Sequence, residues 1–333
     1  MKYPISMMQY SDVLRRMDIQ DVSKASIRQC QAVSFAIEEL TGEPFVHLEM
    51  GIPGINVHDI GVAAQKKALD LGKAKTYPNI GGIRPLKEEA SRFVKAFVDI
   101  DVSPRGIIPT VGSMNASYNL ILECSQLKPE KDTILYLCPG FSAHGRQPDV
   151  LGIRNYTFDV YQYRGEKLRE KLEQEFGTGR IAALLYSNPN NPAWICFTDE
   201  ELRIIGELAT KYDVIVLEDM AYMCMDFRND LSKPFEPPFQ PSVAKYTDNY
   251  VIMISGSKIF SYAGERIAIA CISDRLYGRE YPELRRRYGI GSFGDNFMLT
   301  YCYVCSSGCY GGSFPGRRSC CAAVSSSSHR PRH

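Results

Sequence analysis

A chain of 333 residues, 44% hydrophobic and 23% charged, has enough apolar material for one large packed core or two smaller ones. Its 39 basic residues nearly match its 38 acidic ones, so the formal net charge of +1 excludes the basic stripe of a nucleic-acid binder and implies no polyanionic partner. No apolar run approaches the roughly 18 residues that span a bilayer, and MKYPISMMQYSD lacks the apolar stretch of a signal peptide; the expectation is a cytoplasmic protein without a membrane partner.

In chain order, residues 25–41 read as an amphipathic helix ended by Gly42, followed by the glycine-rich approach EMGIPGINVHD. Residues 84–98 and 113–126 again have helical period, and GIIPTVGS between them predicts a short strand turning sharply into a helix. Apolar strands are then predicted at 132–138, 180–187, 213–219, 250–255 and 267–273. The helix between the second and third of these opens on Thr198-Asp-Glu-Glu201, a capping box in which each end of the motif satisfies a backbone donor at the other. Short apolar strands without clean polar alternation suit a mostly parallel sheet covered on both faces. The predicted class is therefore α/β, with three α/β/α layers and ligands at the carboxyl edge of the strands.

Six of the eleven cysteines lie scattered in apolar or helical segments and read as small buried thiols. The other five, Cys302, Cys305, Cys309, Cys320 and Cys321, fall in a segment of different character. No aspartate or glutamate follows Asp295, and from Cys309 the chain loses periodicity and ends in a serine run and His-Arg-Pro-Arg-His. This stretch reads either as a natural disordered terminus or as the product of a shifted reading frame.

Loops leaving the predicted strands carry the chemistry. Lys258, in Ser255-Gly-Ser257-Lys258, ends an apolar strand, where desolvation lowers an amine's pKa and favours an imine with an aldehyde. Arg266 and the two serines can clamp a phosphate dianion by charge-assisted hydrogen bonds. Alone, the same text is a solvated lysine after a strand. Asp219 ends another strand with Tyr222 three residues on; a carboxylate there can keep a pyridine nitrogen protonated while a phenol bonds the ring's 3-oxygen, although a helix-start aspartate with a core tyrosine would read alike. Asn191 offers a rigid amide for that oxygen, or simply makes a turn between prolines. Gly112, Ser113 and Met114 open a helix whose N–H groups suit a phosphate. Phe141 can stack on a pyridine face or serve as core.

The order and spacing of these motifs resemble the class I/II aminotransferases, the fold-type I pyridoxal-phosphate enzymes, over roughly residues 45–300. The resemblance implies that pyridoxal 5'-phosphate is held as an imine on Lys258, with Asp219 and Tyr222 also catalytic. It implies cofactor contacts from Gly112, Ser113, Met114, Phe141, Asn191, Asp219, Tyr222, Ser255, Ser257 and Arg266, and from Tyr77 of a neighbouring copy, hence a homodimer with shared sites. Gly51–Gly54 match the loop over the substrate, and the implied substrates are an amino acid and a 2-oxo acid. The expected division is a helical segment at 1–45, a cofactor-binding domain at 46–300 and an atypical, disordered tail at 301–333.

Two departures stand out. Asn-Pro-Thr-Gly of the family is here Asn191-Pro-Ala-Trp194, which keeps the asparagine but alters the turn. The family continues into a small C-terminal domain that supplies the arginine for the substrate carboxylate, whereas Arg317, Arg318, Arg330 and Arg332 match no family context; the chain reads as truncated, with weak cofactor binding or loss of cooperative folding as the expectation. Alternatives from the same sequence are a β-eliminating lyase or decarboxylase of the same fold and a catalytically dead relative that binds partners. Another is a metal-binding or regulatory module through the five late cysteines with His329 and His333, which lack the paired knuckles of a zinc site; no metal is assigned.

Overall fold

The chain divides into two units, one running to Gly54 and the other beginning at Ile55, and the computed structural model describes residues 5–301. The late cysteines and the tail expected at 301–333 lie, but for Tyr301, outside the described residues. In the first unit, helices α1 (Met7–Arg16) and α2 (Ile27–Thr41) each start on a serine–glutamine capping box, Ser6 with Gln9 and Ser26 with Gln29. Gly42 ends α2 in the left-handed conformation at φ 71°, which suits a residue without Cβ. Val13, Ile19, Val33 and Ile37 form this unit's core.

The second unit opens with α3 (Asp59–Asp70) and α4 (Arg84–Val98). There follow β1 (Ile107–Thr110), α5 (Ser113–Cys124), β2 (Thr133–Cys138), α6 (Ser142–Leu151), β3 (Arg154–Asp159), α7 (Glu166–Gly177), β4 (Ile181–Ser187) and α8 (Asp199–Lys211). Next are β5 (Ile215–Asp219), β6 (Tyr250–Ser255), the single turn α9 (Gly256–Ile259) and β7 (Ala268–Ile272). The seven strands form one sheet in the order β1-β7-β6-β5-β4-β2-β3. From β3 to β6 every pairing is parallel; β7 runs antiparallel to both its neighbours.

Alternation along the strands sends successive side chains to opposite faces, and both faces are apolar. Leu135, Leu184, Val216 and Ile252 pack with Val94 and Phe97 of α4, Leu168 of α7 and Leu202 of α8. Ile134, Ala183, Ile215 and Val251 pack with Leu120 and Ile121 of α5. Burying both faces explains why these strands show no polar alternation, and the result is the three-layer, mostly parallel α/β architecture expected.

Two features differ from the sequence reading. The strand β3 was not anticipated: RNYTFD is charged at both ends and half-exposed, because it is an edge strand paired only with β2. The predicted strand at 267–273 runs antiparallel to its neighbours: a parallel crossover is usually carried by a full helix packed on the sheet, and the connection from β6 holds only the four-residue α9 and a short 3-10 turn. No described helix is long and apolar enough to cross a membrane.

Candidate active site

The register of the parallel strands brings the site together. Ser187 and Asp219, the last residues of β4 and β5, are aligned partners, Asp219 is aligned with Met253 of β6, and Ser255 at the end of β6 faces Ala268 of β7. These ends and the loops leaving them hold Asn191, Asp219, Tyr222, Ser255, Ser257, Lys258 and Arg266, while Gly112, Ser113 and Met114 follow β1 and Phe141 follows β2.

Lys258 sits in the turn α9, which Ser255 caps by accepting from the Ser257 N–H. Burial pushes the Lys258 amine below the ordinary lysine range, and the Arg266 guanidinium adds to the effect. Its Nζ lies 5.7 Å from the centre of the Tyr222 ring. Burial pushes the Tyr222 phenol up, with the Asp219 carboxylate contributing, and the phenol oxygen accepts from Asn191 Nδ2 at 3.3 Å. Asp219 is only 4% exposed; one of its oxygens accepts from the Ala221 N–H at 3.0 Å, and the other is 3.3 Å from His144 Nε2 but not aligned for a hydrogen bond. Phe141 meets the His144 ring edge-to-face at 5.6 Å.

On the other side of Lys258, Arg266 Nη1 reaches Ser257 Oγ at 3.5 Å and donates to the Ala263 carbonyl at 3.0 Å, while Ser255 and Ser257 share a 3.0 Å hydrogen bond. Gly112, at φ 76°, opens α5, and a Cβ added there would stand 2.4 Å from Arg266 Nη2. A side chain there would be strained by the positive φ and would push the guanidinium aside. Behind it, Ser113 is buried and Met114 accepts at its carbonyl from Gln147 Nε2 at 2.9 Å.

Phe141, Asp219, Tyr222, Asn191, Lys258, Ser255, Ser257, Arg266 and Gly112 thus form one connected set. Tyr77 stands apart from it, 84% exposed at the surface. Gly51–Gly54 belong to the other unit.

A model of the "Aminotransferase class I and II" family matches residues 52–288. The chain belongs to that family. It is 27% identical over 239 residues to a probable aspartate aminotransferase of Methanocaldococcus jannaschii, covering 69% of this chain and 58% of that protein. It is 23% identical over 251 residues to an aspartate aminotransferase of Bacillus subtilis, covering 74% and 61%. It is also 25% identical over 181 residues to aromatic-amino-acid aminotransferase 2 of Thermococcus litoralis, covering 54% and 46%. The chain therefore spans about 60% of the length of the first two relatives. Among solved structures, substrate-bound BacF of Bacillus subtilis aligns with TM-score 0.66 at 19% identity over 91% of this chain and 70% of that one. Thermus thermophilus aspartate aminotransferase with maleate aligns with TM-score 0.62 at 18% identity over 94% and 74%. These structural likenesses bear out the fold.

Within this aminotransferase-family chain, four residues of the site escaped the sequence reading as functional. His144, in the first turn of α6, comes next to Asp219 only through the tertiary fold; nothing in the spacing signals it. Ser187 accepts from the Asn191 N–H at 3.2 Å and so fixes the start of the asparagine turn. Glu218, fully buried beside Asp219, accepts from Ser242 Oγ (2.6 Å), Asn188 Nδ2 (3.2 Å), the Val243 N–H (3.2 Å) and Tyr186 Oη (3.4 Å). Burial pushes its carboxyl up to about 7 against these four donors. Through Asn188 it ties the asparagine–proline loop to β5. The fourth is Trp194, noticed only as a departure from the family text. It adopts φ 56°, a region that costs a side chain with a Cβ on the order of 1–2 kcal/mol.

Proposed function

We propose that the chain is the cofactor-binding part of a pyridoxal-phosphate-dependent aminotransferase that moves an amino group between an amino acid and a 2-oxo acid. The observation that carries this reading is the convergence of Lys258, Asp219, Tyr222 and Asn191 at the carboxyl edge of one sheet, with the amine shifted down and the phenol shifted up. The donor set fits the cofactor: Arg266, Ser255, Ser257 and the N–H groups that open α5 at Gly112 and Ser113 suit a phosphate dianion, and the absence of a side chain at Gly112 lets the Arg266 guanidinium lie against that turn.

Pyridoxal phosphate, when bound, supplies a protonated ring that accepts the charge leaving the substrate's α-carbon. Asp219 holds the proton on the ring nitrogen, and its burial strengthens that interaction. The Ala221 N–H keeps the carboxylate in place, with the His144 ring packed beside it. Tyr222 and Asn191 orient the 3-oxygen, and Phe141 covers a ring face. Lys258 would hold the cofactor and, as an amine with a lowered pKa, would carry the proton from the substrate's α-carbon to the cofactor's C4′. Tyr77 serves the phosphate of a second copy, so the working unit is a homodimer, and its exposure supports that role. Transamination is favoured over elimination or decarboxylation by the relatives' names.

The test is uptake of pyridoxal phosphate by the purified 333-residue chain, followed by borohydride reduction and peptide mapping. A visible absorbance band with the label on Lys258 is expected. A folded chain with no band and no label would sink the proposal.

A further inference from the structure

The turn after Asn191 places the chain's bulkiest side chain where its backbone favours glycine. Asn190 locks that turn: its N–H donates to the Ile195 carbonyl at 2.8 Å, its Oδ1 accepts from the Ala193 N–H at 3.1 Å, and its carbonyl accepts from the Trp194 N–H at 3.0 Å. Asn190 Nδ2 in turn donates to the Pro139 carbonyl at 3.0 Å, fixing the turn to the loop after β2. The indole is thus held by backbone geometry rather than by burial.

From that position Trp194 meets the Tyr222 ring edge-on, with centroids 5.5 Å apart and planes at 75°. Phe227 stacks on its other side at 5.8 Å and 14°. Because Tyr222 is also the ring beside Lys258 Nζ, three aromatic rings run outward from the reactive amine. They end in the open: Trp194 is 38% exposed and Phe227 88%. The guanidiniums flanking this turn are both committed to carboxylates of the chain. Arg164 is bidentate to Glu201 at 2.5 and 2.6 Å, and Arg228 Nε and Nη2 reach Asp226 at 2.9 and 2.7 Å. A second carboxylate on a substrate would therefore meet ring faces here and not a guanidinium awaiting a partner. A flat or bulky apolar side chain would meet rigid rings with favourable edge and face geometry.

We propose that Trp194 and Phe227 form the side-chain subsite of the enzyme and select amino acids and 2-oxo acids with aromatic or large apolar side chains over dicarboxylic ones. This rests on the aminotransferase reading above and adds the substrate class to it.

Trp194 is the one tryptophan of the 333 residues, so its emission reports on the subsite directly. The full chain is titrated with 3-phenylpropionate and with succinate, neither of which reacts, in the presence and absence of pyridoxal phosphate. Saturable change with 3-phenylpropionate, none with succinate over the same range, and an affinity for 3-phenylpropionate about tenfold weaker in Phe227→Ala are expected. The backbone at 194 accepts glycine without strain, so Trp194→Gly folds and is compared by kcat/KM on phenylalanine and aspartate. Its preference for phenylalanine falls by about tenfold or more, Trp194→Phe retains most of it, and the borohydride label on Lys258 persists in both. Equal response to the two acids, unchanged preference in Trp194→Gly, or emission that follows protein concentration instead of ligand would overturn the proposal, the last by making the ring pair a contact between copies. Absence of the Lys258 label in the wild-type chain counts against the aminotransferase reading alone, because emission is also read without cofactor.

Discussion

The two edges of the sheet solve opposite problems with the same residue types. At the amino edge, Asp213 lies just before β5 and is paired with Lys128 at 2.5 Å and Arg279 at 2.6 Å, while Asp132, just before β2, is paired with Arg180 at 2.6 Å. Lys131 caps the Tyr212 and Asp213 carbonyls at 2.6 and 2.7 Å. At the carboxyl edge the buried Asp219 faces an imidazole and a phenol, the Lys258 amine stands beside the Arg266 guanidinium, and Glu218 is sunk among neutral donors. Both edges hold residues with positive φ, but the one before β5 is Asp213 (53°), a type that tolerates that region, whereas the carboxyl edge uses Trp194 (56°) and Arg266 (54°). Charge and backbone are relaxed at the amino edge, and held off their preferences at the carboxyl edge, where the proposed chemistry falls.

The contrast breaks most sharply at Lys258. Lys258→Ala is expected to lose the borohydride label entirely and to lower turnover by roughly 10²–10⁴-fold or more, with its thermal midpoint nearly unchanged. A smaller loss, on the order of 10²–10³-fold, is expected for Asp219→Asn, which keeps shape but cannot hold the proton of a ring nitrogen. If that variant instead unfolds several degrees early while reacting normally, Asp219 belongs with the structural carboxylates. At the other edge, Asp213→Asn leaves Lys128 and Arg279 facing each other, and urea unfolding should show a loss of about 1–2 kcal/mol with kcat unchanged. Although burial raises the Asp213 pKa, Arg279 and Lys128 win and hold it below the usual carboxylate range. Its contribution is therefore present above the unfolded value and lost as pH falls through the lower folded one.

Glu218 provides the smallest and most discriminating test, because its sign is opposite. Its folded pKa of about 7 lies above the ordinary 4.5. Its contribution is complete below the unfolded value and is lost as pH rises through about 7. Between pH about 5 and about 8 the wild-type thermal midpoint should drop by a few degrees more than that of Glu218→Gln, which has no carboxyl to ionise. Parallel profiles would return Glu218 to the ordinary carboxylates.

Much of this was readable in the chain because local rules agreed with the fold. The capping box at Thr198 and Glu201 does start α8, with Glu201 also engaged by Arg164. The residues Asn191, Asp219 and Lys258 stand at strand ends, where an active site is expected in any parallel sheet. Hidden from the sequence were residues whose role depends on crossing elements. His144 is three positions beyond Phe141, yet its neighbour of consequence is on β5. Glu218 reads as one half of an acidic pair in EDMAY until the sheet turns it toward Ser242 and Asn188. The edge strand β3 was missed because an edge tolerates polar text that no central strand would carry.

The antiparallel run of β7 decides the order in which the site can be assembled. Ser255 and Ala268 are paired neighbours across a short return of the chain, so Lys258 and Arg266 are brought together by contacts of low sequence separation. Asp219 joins them only when β5 docks alongside β6, and Gly112 only when β1 closes the far side of β7. Loop-closure entropy is small for the first event and larger for the others. The cationic half of the site is a local product of one hairpin-like segment, and the anionic half arrives with the tertiary fold.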